Sequence, residues 1–160
     1  MSRWSDWLLF QPEHFESIPT SSGIYEIRWA VDGRPQPINR VNGVDESGLL
    51  YIGKTRFLRL RIASFWRYIK SERKEPPNAA AYAYVFYSYY FKFKPEQLEV
   101  RWMTLSEDKI DMERERLLFY YAMKYFDRPP LNISIKRFSL NNHFRFESES
   151  PYSKIKRAKR

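Results

Sequence analysis

The sequence predicts a mixed α/β fold of the α+β kind, on three observations. Residues 23–30, 49–53 and 98–105 either alternate apolar with polar residues or run continuously apolar, which is how strands read. Two longer runs, 56–74 and 107–126, place apolar residues at helical spacing. The two kinds of segment are interleaved in 160 residues without an internal repeat. That length suits one domain able to bury most of what its unfolded chain exposes.

In chain order, the aromatic-rich opening from Trp4 to Phe15 reads as a short helix or turn, and the Pro, Ser and Gly of residues 18–23 as a loop. Gly23 to Ala30 alternates and predicts a strand. Residues 32–48 form a polar loop or irregular hairpin, and Leu49 to Gly53 a more buried strand. From Arg56 to Lys74 the period becomes helical: Leu58, Ile62, Phe65 and Ile69 fall within about 60° of one another at 100° per residue. Arg59, Arg67, Lys70 and Lys74 line the opposite side, and Arg61 sits at the flank of the apolar stripe, pointing toward a cleft. Pro76-Pro77 ends that helix. The Ala- and Tyr-rich stretch from Asn78 to Lys94 fits a helix or a strand. Leu98 to Leu105 is a third strand, Ser106 the N-cap of a helix from Glu107 to Phe126, and Pro129-Pro130 the stop after it.

Composition narrows the function. Without cysteine there is no disulfide framework, thiolate metal site, cysteine nucleophile or iron–sulfur cluster, and two His make a histidine-rich zinc site a poor expectation. No run approaches 18 apolar residues and the first residues lack a signal-peptide core. The expectation is therefore a soluble, cytoplasmic protein with no membrane partner. Aromatic residues reach 18 %. The net charge of +9 is concentrated: residues 54–74 carry eight basic side chains against Glu72, and residues 153–160 carry five. Clustered basic charge is the footprint of a polyanion binder, although a solvated helix face and a solubilising tail would give the same pattern.

On the second helix Met112, Phe119, Ala122, Met123 and Phe126 form an apolar face with Glu115 in its midst, whereas Glu113 lies with Arg116, Tyr120, Lys124 and Asp127 on the polar face. A buried carboxylate is costly unless paired or bound to a metal. Glu115 is thus a candidate ligand, with a buried ion pair to an arginine as the other account.

Gly23-Ile24-Tyr25, then Tyr51-Ile52-Gly53-Lys54-Thr55 with Leu58 and Arg61, then a Glu-bearing helix and Pro130-Leu131-Asn132 stand in one order, with Arg61 ten positions after Tyr51. Together they resemble the GIY-YIG nuclease superfamily over residues 19–132. The resemblance implies a small three-stranded antiparallel sheet flanked by helices and divalent-metal-dependent hydrolysis of a phosphodiester. It divides the chain into an N-terminal extension (1–18), the nuclease-like domain (19–140) and a basic tail (141–160). Tyr25 and Tyr51 match the motif tyrosines, one of which helps to activate the attacking water. Arg61 matches the phosphate-binding arginine, Glu115 the metal-binding glutamate, with Glu115-Arg-Leu-Leu118 similar to the family's Glu-x-x-Leu-Ile, and Asn132 the asparagine that supports the site. In three places the chain departs from the pattern. Residues 31–48 look inserted between the tyrosines, Phe65 stands where the family often has histidine, and residues 76–95 exceed the minimal domain.

These residues suit the chemistry. Arginine can hold a phosphate bidentately. Mg²⁺, or Mn²⁺ in its place, takes oxygen ligands and keeps several waters, so Glu115 can suffice, with Glu113 as fallback. Tyrosine is a poor base at its ordinary pKa near 10, and the expectation is that a metal with Arg61 and Lys54 would lower it. Lys54 could also steer phosphate, act as a base, or be merely solvated. Arg59, Arg67, Lys70 and Lys74 would contact the DNA backbone. The expected function is a metal-dependent endonuclease on DNA, RNA not being excluded, as monomer or homodimer, either a DNA-processing enzyme or a restriction type that reads DNA through residues 31–48 and 76–95. The alternative is a non-catalytic nucleic-acid-binding module whose aromatics stack on unpaired bases.

Overall fold

The computed structural model describes residues 3–71, 75–91 and 94–133, apart from the side chains of 89–91. Lys74 and the basic tail lie outside the described residues. Strands β1 (Leu8–Leu9), β2 (Gly23–Val31), β3 (Arg34–Pro35), β4 (Ile38–Asn39), β5 (Val44–Asp45) and β6 (Leu49–Thr55) are followed by helices α1 (Leu58–Ile69) and α2 (Ala79–Phe91), strand β7 (Leu98–Thr104) and helix α3 (Glu107–Tyr125). The fold is α+β with an antiparallel sheet. Among the described residues no helix is long and apolar enough to cross a membrane.

The longest strand, β2, is central. It pairs antiparallel with β6 on one side and β7 on the other, and its last two residues turn back onto β3. Both margins of this core are covered. Leu8 and Leu9 pair with β7, while the Ser5 and Phe10 N–H groups donate to the Trp102 and Leu98 carbonyls. Along the free side of β6, the Leu131 N–H donates to the Leu50 carbonyl, and the Asn132 side chain brackets Ile52.

Alternation along β2 sends Tyr25 and Ile27 to one face and Ile24 and Glu26 to the other. The first face is covered by α1, α2 and Phe10: Leu58, Ile62, Phe65, Ala80, Ala81, Ala83 and Tyr84 are buried there. The second is covered by α3, through Leu118, Tyr121 and Tyr125 on Ile24, Leu49, Ile52 and Met103. Beyond α3 the second face is charged. Glu26 sits opposite Arg101 and Arg28 opposite Glu99, each pair closed by a 2.6 Å ion pair. Trp4 and Trp7 roof this ladder: Arg101 lies 4.5 Å from the Trp4 ring centre and Arg28 lies 4.3 Å from that of Trp7. The buried carboxylates among the described residues are Glu26, Glu99 and Asp45.

Several boundaries differ from the sequence reading. The opening forms a two-residue strand and a 3-10 turn, Pro12–Ser17. Helix α1 stops at Ile69, before Pro76-Pro77, because Ser71 adopts the left-handed conformation at φ 62° and its N–H closes on the Tyr68 carbonyl. The undecided stretch is helix α2, started by the Asn78 side chain, which accepts the Ala81 N–H at 2.8 Å. Helix α3 ends at Tyr125 with Phe126 left-handed at φ 53°. The loop of residues 32–48 is a strap across that end. Asn42 donates through its N–H to the Tyr125 carbonyl and through its side chain to that of Lys124, and Arg40 binds Asp127 and the Arg128 carbonyl. Asp45, fully buried, accepts from the Ser47 N–H and hydroxyl, the Leu49 N–H, and the Tyr121 and Tyr125 hydroxyls.

Candidate active site

The site begins with register. Tyr25 is paired with Gly53, and Ile27 with Tyr51, so Tyr25, Gly53 and Tyr51 share a face. A Cβ on residue 53 would lie 2.5 Å from Cζ of Tyr25 and 2.6 Å from Cε1 of Tyr51. Only glycine leaves room for the Tyr25 ring to cross β6 and meet Tyr51 edge-on, with centroids 5.6 Å apart and planes at 64°. Gly23 has a similar reason: its Cβ would lie 2.3 Å from the Met103 carbonyl oxygen. Both motif glycines are places where backbone or ring approaches too closely for any side chain.

The Asn78 amide donates to the Tyr25 hydroxyl at 3.3 Å, and the two phenols act on each other, Tyr51 raising the pKa of Tyr25 and the Tyr25 hydroxyl lowering that of Tyr51. Burial pushes the Tyr25 phenol well above 10, Tyr51 adds to this, and Arg61 opposes it. Burial also raises Tyr51, against the Arg114 guanidinium, the Tyr25 hydroxyl and Arg61. Among the protein's own groups desolvation outweighs the cations, so lowering either phenol below its ordinary value would require the charge of a bound metal. Of the two, Tyr51 is the phenol whose negative charge the surroundings better support.

Arg61, on α1, is half-buried, and its Nη1 donates to the Pro77 carbonyl. Phe65, one turn on, is fully buried with its ring 6.3 Å from that of Tyr51. It packs an apolar ring against Tyr51. Lys54 is not brought to this group. It follows Gly53, points to the opposite face, and forms an ion pair with Asp111 of α3.

Asn132 is buried and fastened to β6: its Oδ1 accepts the Ile52 N–H at 3.0 Å and its Nδ2 donates to the Ile52 carbonyl at 2.9 Å. The same carbonyl receives Nε of Arg114 at 3.4 Å. Arg114, like Asn78, is a site residue that sequence reasoning missed. Its side chain is only 13 % exposed, and its Nη1 meets Oε1 of Glu115 at 2.9 Å. The signal was present, since Arg114 falls on the same arc as Ile110, Leu117, Leu118 and Tyr121 at spacings of three and four.

That arc is the packed face of α3, which corrects the reading of Glu115. Met112, Phe119, Met123 and Phe126 are exposed, while Ile110, Leu118, Tyr121 and Tyr125 are buried. Glu115 is half-exposed and held by Arg114, so the ion pair exists but the carboxylate is not buried. The helix is apolar on two sides, and the inner side is chosen because its tyrosines reach Asp45. Both carboxylate oxygens of Glu113 are taken by Arg116. Among the described residues no three His, Asp or Glu side chains converge as a metal cluster.

The basic stripe divides. Arg59 fastens the N-terminal turn to α1, donating to the Ile18 and Glu16 carbonyls at 2.8 Å and to the Glu16 carboxylate at 2.9 Å. Lys70 pairs with Glu96 at 2.6 Å. Arg67 faces solvent on the outer side of α1.

No protein-family model, curated protein or solved structure matches the chain. What the site can do follows from its own side chains: two guanidinium groups, Arg61 and Arg114, act on the phenol of Tyr51, and a half-exposed carboxylate stands beside one of them. Such a group can attract an anion and orient it against an oxygen nucleophile.

Proposed function

We propose that this protein is a divalent-metal-dependent endonuclease that hydrolyses DNA phosphodiester bonds with one GIY-YIG-like site. The observation that carries the reading is the edge-to-face pair of Tyr25 and Tyr51 made possible by Gly53, with Arg61 beside it. Arg61 would hold the phosphate, for which its planar fork suits better than an ammonium. Tyr25, held neutral by burial, would donate to Tyr51 and fix its hydroxyl. Tyr51 would take a proton from the attacking water in its phenolate form, which Arg114 and Arg61 favour against burial. Arg114 would neutralise charge on the Tyr51 side.

Glu115 fits a hydrated Mg²⁺ or Mn²⁺, since its side chain is 50 % exposed and such an ion needs as little as one carboxylate while keeping its waters. When bound, the ion supplies positive charge for the phosphate and acidifies a water. Arg67 and the basic tail would add sequence-independent backbone contacts. A second reading, a nucleic-acid-binding module without cleavage, is favoured by the Arg114–Glu115 ion pair, which occupies the candidate ligand.

A plasmid-nicking assay separates the two. Supercoiled DNA that becomes open-circular with Mg²⁺ or Mn²⁺, remains intact with EDTA, and survives Glu115→Ala or Arg61→Ala supports the nuclease. DNA that stays intact but is retarded on a gel supports the binding module.

A further inference from the structure

The two stretches that exceed the resemblance, 31–48 and 76–95, converge. The strap contributes Ile38, Asn39 and Arg40, and α2 contributes Tyr87, to one half-open cavity of about 630 Å³ that also takes in Trp29 of β2 and Asp127. That volume is within the range of small-ligand sites. The cavity adjoins the candidate active site. Leu50, which lines it, precedes Tyr51, and Asn132, which lines it too, brackets Ile52. Trp29 lies on the same face of β2 as Tyr25, four residues and so about 13 Å along the strand.

Its chemistry is that of a slot for a flat, polar-edged ring. Trp29 and Tyr87 offer ring surfaces and Ile38 an apolar wall, while Asn39, Arg40 and Asp127 offer donors and acceptors. Arg40 is a built element rather than a surface cation. Its side chain is 10 % exposed, Nη2 binds Asp127 and the Arg128 carbonyl, and Nε has no hydrogen-bond acceptor among the described residues. A buried guanidinium beside aromatic rings complements a base carried on a phosphate-bearing strand.

We propose that this cavity receives a single nucleobase turned out of its stack next to the bond to be cut, so that the preferred substrate is nucleic acid with an unpaired nucleotide. The inference rests on the nucleic-acid reading above. Turning a base out costs least where it has no partner, and stacking on aromatic side chains returns that cost.

The test uses the full chain in EDTA, so that binding is read without cleavage. Fluorescence anisotropy compares a short DNA duplex carrying one central bulged adenine with the same duplex fully paired. The expected result is a preference of about tenfold for the bulged duplex. The preference should disappear in Tyr87→Ala, which removes a ring, and in Ile38→Trp, which fills the cavity, each checked for native circular dichroism. Equal affinity for the two duplexes, binding of neither, or a preference that both variants retain would overturn the proposal. Cleavage with Mg²⁺ but no bulge preference leaves the nuclease standing and removes the base slot. Bulge preference without cleavage does the reverse.

Discussion

Gly53→Ala is the sharpest test of how the site is assembled, because two effects predict opposite signs. Alanine is favoured over glycine within a strand by about 0.5–1 kcal/mol, so backbone preference alone would stabilise the protein. The structure predicts loss. The added carbon would stand 2.5 Å from the Tyr25 ring and 2.6 Å from that of Tyr51, and Tyr25 is 0 % exposed, with no space to retreat into. Overpacking a core costs typically about 1–3 kcal/mol. With two rings displaced the upper end applies, leaving a net loss of about 2 kcal/mol after the backbone gain. For a chain of this size that lowers Tm by about 4–8 °C. Thermal unfolding followed by near-ultraviolet circular dichroism reads both the shift and the loss of fixed tyrosine packing. Gly33→Ala is the control: its Cβ meets nothing within 4 Å, and only its left-handed φ of +73° is penalised. In the double variant with Tyr25→Val, most of the Gly53→Ala cost should vanish as a coupling between neighbours. A Gly53→Ala protein with unchanged or raised Tm would refute the reasoning.

Asn132→Ala removes both hydrogen bonds to Ile52 and should cost about 2 kcal/mol, seen as a lower urea midpoint at unchanged slope. Asp45→Ala strands five donors, two of them α3 hydroxyls, and should cost about 3 kcal/mol or more in the same assay. Burial raises the pKa of Tyr25, Tyr51, Tyr84 and Tyr121 above 10. A folded pKa above the unfolded one gives stability that is present below pH 10 and lost as pH rises beyond it. Phenolate absorbance should therefore show these four ionising late, in one step with unfolding, and a single titration of all tyrosines in a still-folded chain would refute this. In the nicking assay, Tyr51→Phe should slow cleavage by about 10²-fold or more and Tyr25→Phe by about tenfold, the first removing a proton acceptor and the second only its orienting donor. The reverse order would exchange their roles.

The strands were legible because alternation is a local signal, and Tyr25 and Tyr51 because the tripeptides that hold them resemble a family motif; that Gly53 makes room for the two rings to meet was not legible. The helix at 79–91 was not, since a run of alanines and tyrosines has no polar face to declare a period; packing of Ala80, Ala81 and Tyr84 against α1 decides it. The inner face of α3 was misread for a related reason. Its outer residues are as apolar as its inner ones, and the choice falls to Tyr121 and Tyr125 meeting Asp45, a contact spanning 76 and 80 residues of chain. Arg114 and Asn78 escaped because their roles exist only where β6, α2 and α3 meet. The charged ladder beneath Trp4 and Trp7 escaped because alternating polar residues normally mean a wet face.

Covering both margins of the sheet bears on how the protein can fail. An uncovered strand edge is a template on which another chain can pair. Here one margin is closed by residues 5–10 and the other by Leu131 and Asn132, short segments near the two ends of the described chain. Fraying of either would leave the three-strand core folded while exposing a row of unmet N–H and C=O groups. Heat or clipping should therefore turn solutions turbid through ordered chain-to-chain growth before the monomer unfolds, and salt that screens the net charge of +9 should hasten it.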